Sequence, residues 1–187
     1  IVPDGPKSHS CVVLALAYDD LIVSVGVGGD AQRDPRTAGH EAAYQALQAF
    51  RGKTRSGFML FGDGLVTRYT EVSRGIREVL GTSFVCAGGL MADELQFQRT
   101  YQYTPQGVVT NSVVGMLLGG NCTIGVGLEH GFAPISKPRQ ITRSKANVLS
   151  ELDGQPALSV YEEYFGLDLM STVKRAALTR QLIAYPL

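Results

Sequence analysis

Charge is scarce in this chain and balanced. Only 18% of its 187 residues are charged, and 17 Lys plus Arg stand against 17 Asp plus Glu, so no global field draws it to nucleic acid or to an anionic membrane. The basic stretches Arg51 to Arg55 and Lys137 to Lys145 are short and interrupted, as on a solvated face. No run approaches the roughly 20 apolar residues of a membrane span, and the start lacks a basic segment followed by an apolar signal core. The cysteines, Cys11, Cys86 and Cys122, are odd in number and far apart, which argues against a disulfide framework or a zinc spacing. Each lies among apolar residues, as a small buried side chain in a reducing compartment does. His9, His40 and His130 show no His-Glu-x-x-His spacing, and Cys-x-x-Cys, Gly-x-Ser-x-Gly and Gly-x-x-x-x-Gly-Lys-Ser/Thr are all missing. Gly26-Val27-Gly28-Gly29 lacks the spacing of a dinucleotide fingerprint. The acidic pairs Asp19-Asp20 and Glu162-Glu163 project apart, unlike convergent catalytic carboxylates. No metal, cofactor or nucleophile chemistry has a motif here, and no cofactor is expected.

What is present is a core. Hydrophobic residues make up 44% of the chain, enough at this length for one large domain or two small ones. Val12 to Ala17 and Leu21 to Val27 flank Tyr18-Asp19-Asp20 and read as an antiparallel hairpin. Asp34-Pro35 offers a helix cap followed by proline, and Ala38, Ala42, Ala46, Leu47 and Phe50 recur on one face of a helix stopped by Gly52. Gly57 to Phe61 reads as a buried strand, Val72, Ile76, Val79 and Leu80 mark an amphipathic helix, and Ser83 to Ala87 reads as the next strand. This β-α-β unit near the middle of the chain implies two parallel strands, with Asp63 and the Gly88-Gly89 pair at their carboxyl ends, where ligands often bind. Downstream, Gln96 to Tyr103, Gly107 to Leu118 and Asn121 to Leu128 predict an antiparallel meander. Ser144 to Leu152 and Pro156 to Phe165 predict helices, the second closed at Gly166, and a further helix is expected from Asp168 to about Leu178. The fold class is mixed α/β, with two mixed or antiparallel sheets packed together and covered by helices.

Five places carry polar groups suited to a ligand. Asp63, between Gly62 and Gly64, follows an apolar strand; its carboxylate could accept from a ligand amine or hydroxyl, or hold a turn. Gly88 and Gly89 could expose N–H groups to an anion, or simply permit tight turns. Asp93, Arg99, Thr100 and Tyr101 place acid, guanidinium and hydroxyl groups on a loop and the strand leaving it. Arg99 could clamp a carboxylate bidentately, or pair with Asp93 or Glu94 to fix the bend. His130, at a strand end, could transfer a proton or hold a turn.

Phe61-Gly62-Asp63-Gly64-Leu65, Gly88-Gly89-Leu90-Met91-Ala92-Asp93, Arg99-Thr100-Tyr101, Gly125-Val126-Gly127 with His130-Gly131-Phe132, and Asp153-Gly154-Gln155-Pro156-Ala157-Leu158 with Tyr161 follow one another as in the FIST N-terminal domain, which the chain resembles over nearly its whole length. The resemblance implies an intracellular, cytoplasmic sensory module that binds a small polar metabolite, with amino acids the usual proposal. It implies ligand contacts at Asp63, Gly64, Gly88, Gly89, Asp93, Arg99, Thr100, Tyr101 and His130. It also implies a strand-helix unit upstream of Ile1–Gly5, so the chain reads as trimmed at its start. Residues 1–179 are then the sensory domain and 180–187 the beginning of a companion FIST C-terminal domain, linked to a signalling output module. Two other readings compete: a metabolite-processing enzyme using Asp63 and His130, and a ligand-free scaffold for protein partners.

Overall fold

The computed structural model describes residues 15, 16, 18–166 and 182–186. They fall into two compact units, 1–128 and 129–187. Most of the first arm of the expected N-terminal hairpin, Cys11, and the helix expected at 168–178 lie outside the described residues.

The first unit is built on a four-stranded mixed sheet of β1 (Leu21–Gly28), β2 (Arg55–Asp63), β3 (Cys86–Met91) and β6 (Val113–Gly120), in the order β1-β6-β2-β3. Helices α1 (Pro35–Ala49) and α2 (Tyr69–Leu80) share one core with it. The α1 start follows from chemistry: the Asp34 carboxylate accepts the Thr37 N–H at 3.1 Å and Pro35 occupies the first turn, satisfying an otherwise orphaned donor. Those same Thr37 hydrogen bonds, side-chain first, hold the Asp34 carboxyl below its usual range. The inner face of α1 is small, with Ala38, Ala42, Ala43 and Ala46 fully buried. Small residues bring the backbones together: a Cβ on Gly28 would stand 1.8 Å from the Ala38 carbonyl oxygen, and one on Gly75 of α2 2.0 Å from that of Arg36. Ser24 donates to the Ala46 carbonyl at 2.6 Å, and the Arg36–Glu78 ion pair ties α1 to α2. Val72, Ile76 and Leu80 of α2 complete the core with Phe58, Val113 and Leu117.

β2 and β3 are parallel, in register from Phe58 opposite Cys86 to Asp63 opposite Met91, as the β-α-β reading requires. β3 begins later than expected, because the chain first turns at Gly81 (φ 102°) and Phe84 donates back to the Gly81 carbonyl. Gly88 and Gly89 therefore sit inside β3 rather than at its end. The meander also differs. β4 (Gln102–Thr104) and β5 (Gly107–Val109) form a two-stranded hairpin, whereas β6 runs between β1 and β2, antiparallel to both. With both its edges taken, β6 leaves no place for a following strand to fold back on it, and residues 121–128 form none. Cys86 is exposed and Cys122 half-buried, so neither is the enclosed core side chain expected.

The second unit holds a three-stranded antiparallel sheet, β7 (Ile141–Lys145), β8 (Val148–Leu152) and β9 (Gln155–Pro156), followed by α3 (Ser159–Phe165). The expected helix at Ser144 to Leu152 is thus a hairpin. Ala146 (φ 53°) turns the chain between β7 and β8, while Asp153 and Gly154 (φ 52° and 77°) turn it again before β9, the positive-φ pair that tight hairpin turns need. Arg143 pairs with Glu151 across the strands at 2.7 Å. Leu152, Ala157 and Val160 form a small core with Leu149, and α3 closes at Gly166 in the left-handed conformation, as its sequence predicts.

Candidate functional site

The carboxyl ends of β2 and β3 meet. Gly64 donates to the Met91 carbonyl at 3.1 Å, and the chain beyond Met91 makes a loop before entering β4. Within it Asp93 collects three main-chain donors, Phe97 at 3.0 Å, Gln98 at 2.6 Å and Arg99 at 3.1 Å. These bonds, Gln98's foremost, hold the Asp93 carboxyl below its ordinary pKa. Wrapping a backbone around one carboxylate forces Glu94, Leu95 and Phe97 to positive φ (56°, 65° and 53°), a conformation bulky residues rarely take. The role expected of Arg99 in fixing the bend through its guanidinium thus falls to its backbone N–H, and among the described residues no ion pair engages that guanidinium.

The loop encloses a surface hollow of about 320 Å³, lined chiefly by Asp93, Glu94, Gln96, Gln98, Arg99 and Tyr101. One guanidinium, one free carboxylate and two amides share this wall, with the half-exposed Tyr101 beside them.

Behind it lies a buried polar cluster. Asp63 (1% exposed), Thr100 (2%) and Gln102 (1%) are enclosed. Asp63 holds a turn: its carboxylate accepts from Leu65 at 2.8 Å, and its carbonyl accepts from the Tyr69 hydroxyl at 2.7 Å. Burial, assisted by the Asp63 charge, pushes the Tyr69 phenol well above its usual pKa. With its amide turned to suit its neighbours, Gln102 donates to the Val109 carbonyl at 3.2 Å and accepts from the Asp63 N–H at 3.3 Å and the Thr100 hydroxyl at 3.2 Å. Gln102 thus links β2, the loop exit and β5, a part that sequence reasoning did not assign it; a glutamine in a short run of Tyr, Thr and Gln gives no local sign of burial.

Of the residues expected at the site, Asp93, Arg99 and Tyr101 line the hollow, whereas Asp63 and Thr100 belong to the cluster supporting it. Gly64 and Gly88 serve close approach: a Cβ on Gly88 would lie 2.0 Å from the Leu60 carbonyl oxygen, and one on Gly64 2.2 Å from that of Met91. Around Gly89 there is open space. His130 belongs to the second unit, where its Nδ1 accepts from the Phe132 N–H at 3.3 Å. Among the described residues no group of three or more His, Cys, Asp or Glu side chains converges as metal ligands, and no helix is long and apolar enough to cross a membrane.

Comparison with known proteins agrees with the motif order. An uncharacterized protein of Methanocaldococcus jannaschii is 26% identical over 161 residues, covering 81% of this chain. The chain spans only 30% of that protein's length. No solved structure matches. The FIST N domain family model matches residues 1–155, most of the chain, and the protein therefore belongs to the FIST N domain family of sensory signal-transduction domains.

Proposed function

We propose that this domain senses a small zwitterionic metabolite, an amino acid being the simplest example, in the hollow of the 92–101 loop. One observation carries the reading: Arg99 and Glu94, opposite in charge, line the same small cavity, on a loop whose shape Asp93 maintains. An α-carboxylate suits the planar guanidinium fork, an α-ammonium suits Glu94, and the amides of Gln96 and Gln98 offer both donors and acceptors to a polar side chain. Asp63, Thr100 and Gln102 act from behind, fixing the loop's two ends. Binding switches an output only when one conformation holds the ligand better than another. The positive-φ residues Glu94, Leu95 and Phe97 make this loop the element whose arrangement a ligand would bias. Occupancy then passes to a companion C-terminal domain and an output module in the cytoplasm. The enzyme reading is weaker, since the carboxylate offered as its acid or base is buried and accepts from Leu65.

The test is calorimetric titration of the full-length protein with the amino acids and small carboxylates. Saturable binding of at least one is expected, without its conversion, and Arg99→Ala should weaken it about tenfold or more, about 1.4 kcal/mol, with Arg99→Lys restoring little. Unchanged affinity in Arg99→Ala would remove the hollow from consideration.

The scaffold reading has its own observation. Strand alternation places Val23, Val25 and Val27 opposite the α1-facing Ser24, Gly26 and Gly28, in register with Leu118, Met116 and Val114, and Val23 and Met59 there are exposed. An apolar face of this kind suits a protein surface. Hydrogen-exchange protection on that face when a purified output module is added, with no metabolite binding, would favour it.

A further inference from the structure

A second cavity, built entirely from residues of the 129–187 unit, encloses about 730 Å³, within the size range of small-molecule sites. Phe132, Ile135, Ile141, Leu149, Leu152 and Val160 make its walls apolar. Into this lining comes Arg139, whose side chain is only 15% exposed. Its Nη2 pairs with Glu163 at 2.6 Å and its Nη1 lies 3.6 Å from Asp153. Its Nε–H is buried and finds no acceptor among the described residues. Buried donors are nearly always matched, so this one calls for a partner. The partner's charge follows from its surroundings. Two carboxylates already face the one guanidinium, and Lys137, also in the lining, brings the local sum to neutrality; a further anion at Nε would meet two like charges, whereas a carbonyl oxygen would not. His130 lines the same cavity with its Nδ1 already accepting from Phe132.

We propose that this cavity binds an uncharged, largely apolar small molecule bearing a carbonyl group, whose oxygen accepts from Arg139 Nε–H. It is a different site from the polar hollow, made of different residues and suited to a different ligand class.

The experiment uses the full-length protein and Prodan, a neutral naphthalene ketone whose emission shifts to the blue on leaving water. Saturable, blue-shifted binding at one site per chain is expected, and acetylnaphthalene should displace it at about tenfold lower concentration than naphthoate. Leu149→Trp and Ile135→Trp, which fill the cavity from the sheet and from the exposed rim, should each weaken Prodan about tenfold. Arg139→Lys keeps a cation for Glu163 and Asp153 but has no Nε–H, and should abolish the preference for acetylnaphthalene over ethylnaphthalene. Non-saturable Prodan binding, naphthoate competing as well as the ketone, or an undiminished ketone preference in Arg139→Lys would each overturn the proposal. Because Ile135 is exposed and outside the sheet, its variant folds even where a tryptophan at Leu149 does not, and Prodan binding equal to wild type in that variant overturns it too.

Discussion

The Asp93 carboxylate accepts three N–H groups from within six residues of itself, so the loop around the hollow is organised by a single side chain. Because its folded pKa is depressed, the stabilisation it supplies is fully present above the ordinary aspartate value of about 3.9 and is lost as pH falls through the lowered folded one. Amide exchange at Phe97, Gln98 and Arg99, measured from pH 6 downward and corrected for intrinsic rates, should therefore lose protection only in this acid range. In Asp93→Asn that pH dependence should disappear. Tyr69 makes a second single-residue case. Tyr69→Phe removes the donor to the Asp63 carbonyl and should cost about 0.5–1.5 kcal/mol in urea denaturation, with any ligand affinity changing less than in Arg99→Ala. That Asp93 mattered was legible from the resemblance, but its role was not. A carboxylate six residues from an arginine reads as an ion pair until the backbone between them is seen to curl inward.

At the level of elements, α1 and the β2-α2-β3 unit were legible because their signals are local: a cap, a proline, a run of alanines, and a change from strand to helix periodicity. The 141–152 hairpin was misread as a helix because apolar residues at Val148, Leu149 and Leu152 fit either period over so short a span, and the deciding turns rest on positive φ at Ala146 and Asp153. The position of β6 was not legible at all, since nothing local tells a strand which two neighbours it will lie between. That position makes β6 the strand on which the first core depends. Leu117→Ala, at a fully buried position in its centre, should destabilise by about 2–5 kcal/mol. Gly28→Val should do at least comparable damage, because its side chain would meet the α1 backbone rather than a movable neighbour. Thermal or urea unfolding followed by circular dichroism reads both.

For the whole molecule, a ligand that binds only the folded chain stabilises it by mass action, about 2.7 kcal/mol at a hundredfold excess over its Kd. An amino acid recognised in the polar hollow should raise the melting temperature of the full-length protein accordingly and leave that of Arg99→Ala nearly unchanged at the same concentration. Balanced charge, sparse and unpaired cysteines, missing nucleotide and nucleophile motifs, and the order of the Gly-Asp-Gly, Gly-Gly-Leu-Met-Ala-Asp and Arg-Thr-Tyr segments were enough, read as sequence, for class and family. These are properties of composition and of residues near one another along the chain. Which polar groups face solvent and which are enclosed was decided only by tertiary structure: Asp63 and Thr100 went to a buried cluster closed by Gln102, Asp93 to its own backbone, and Arg99, Glu94 and Tyr101 to the hollow. The reason is that burial and hydrogen-bond partnership depend on segments far apart in sequence, here β2, the 92–101 loop and β5, meeting at the end of one parallel strand pair.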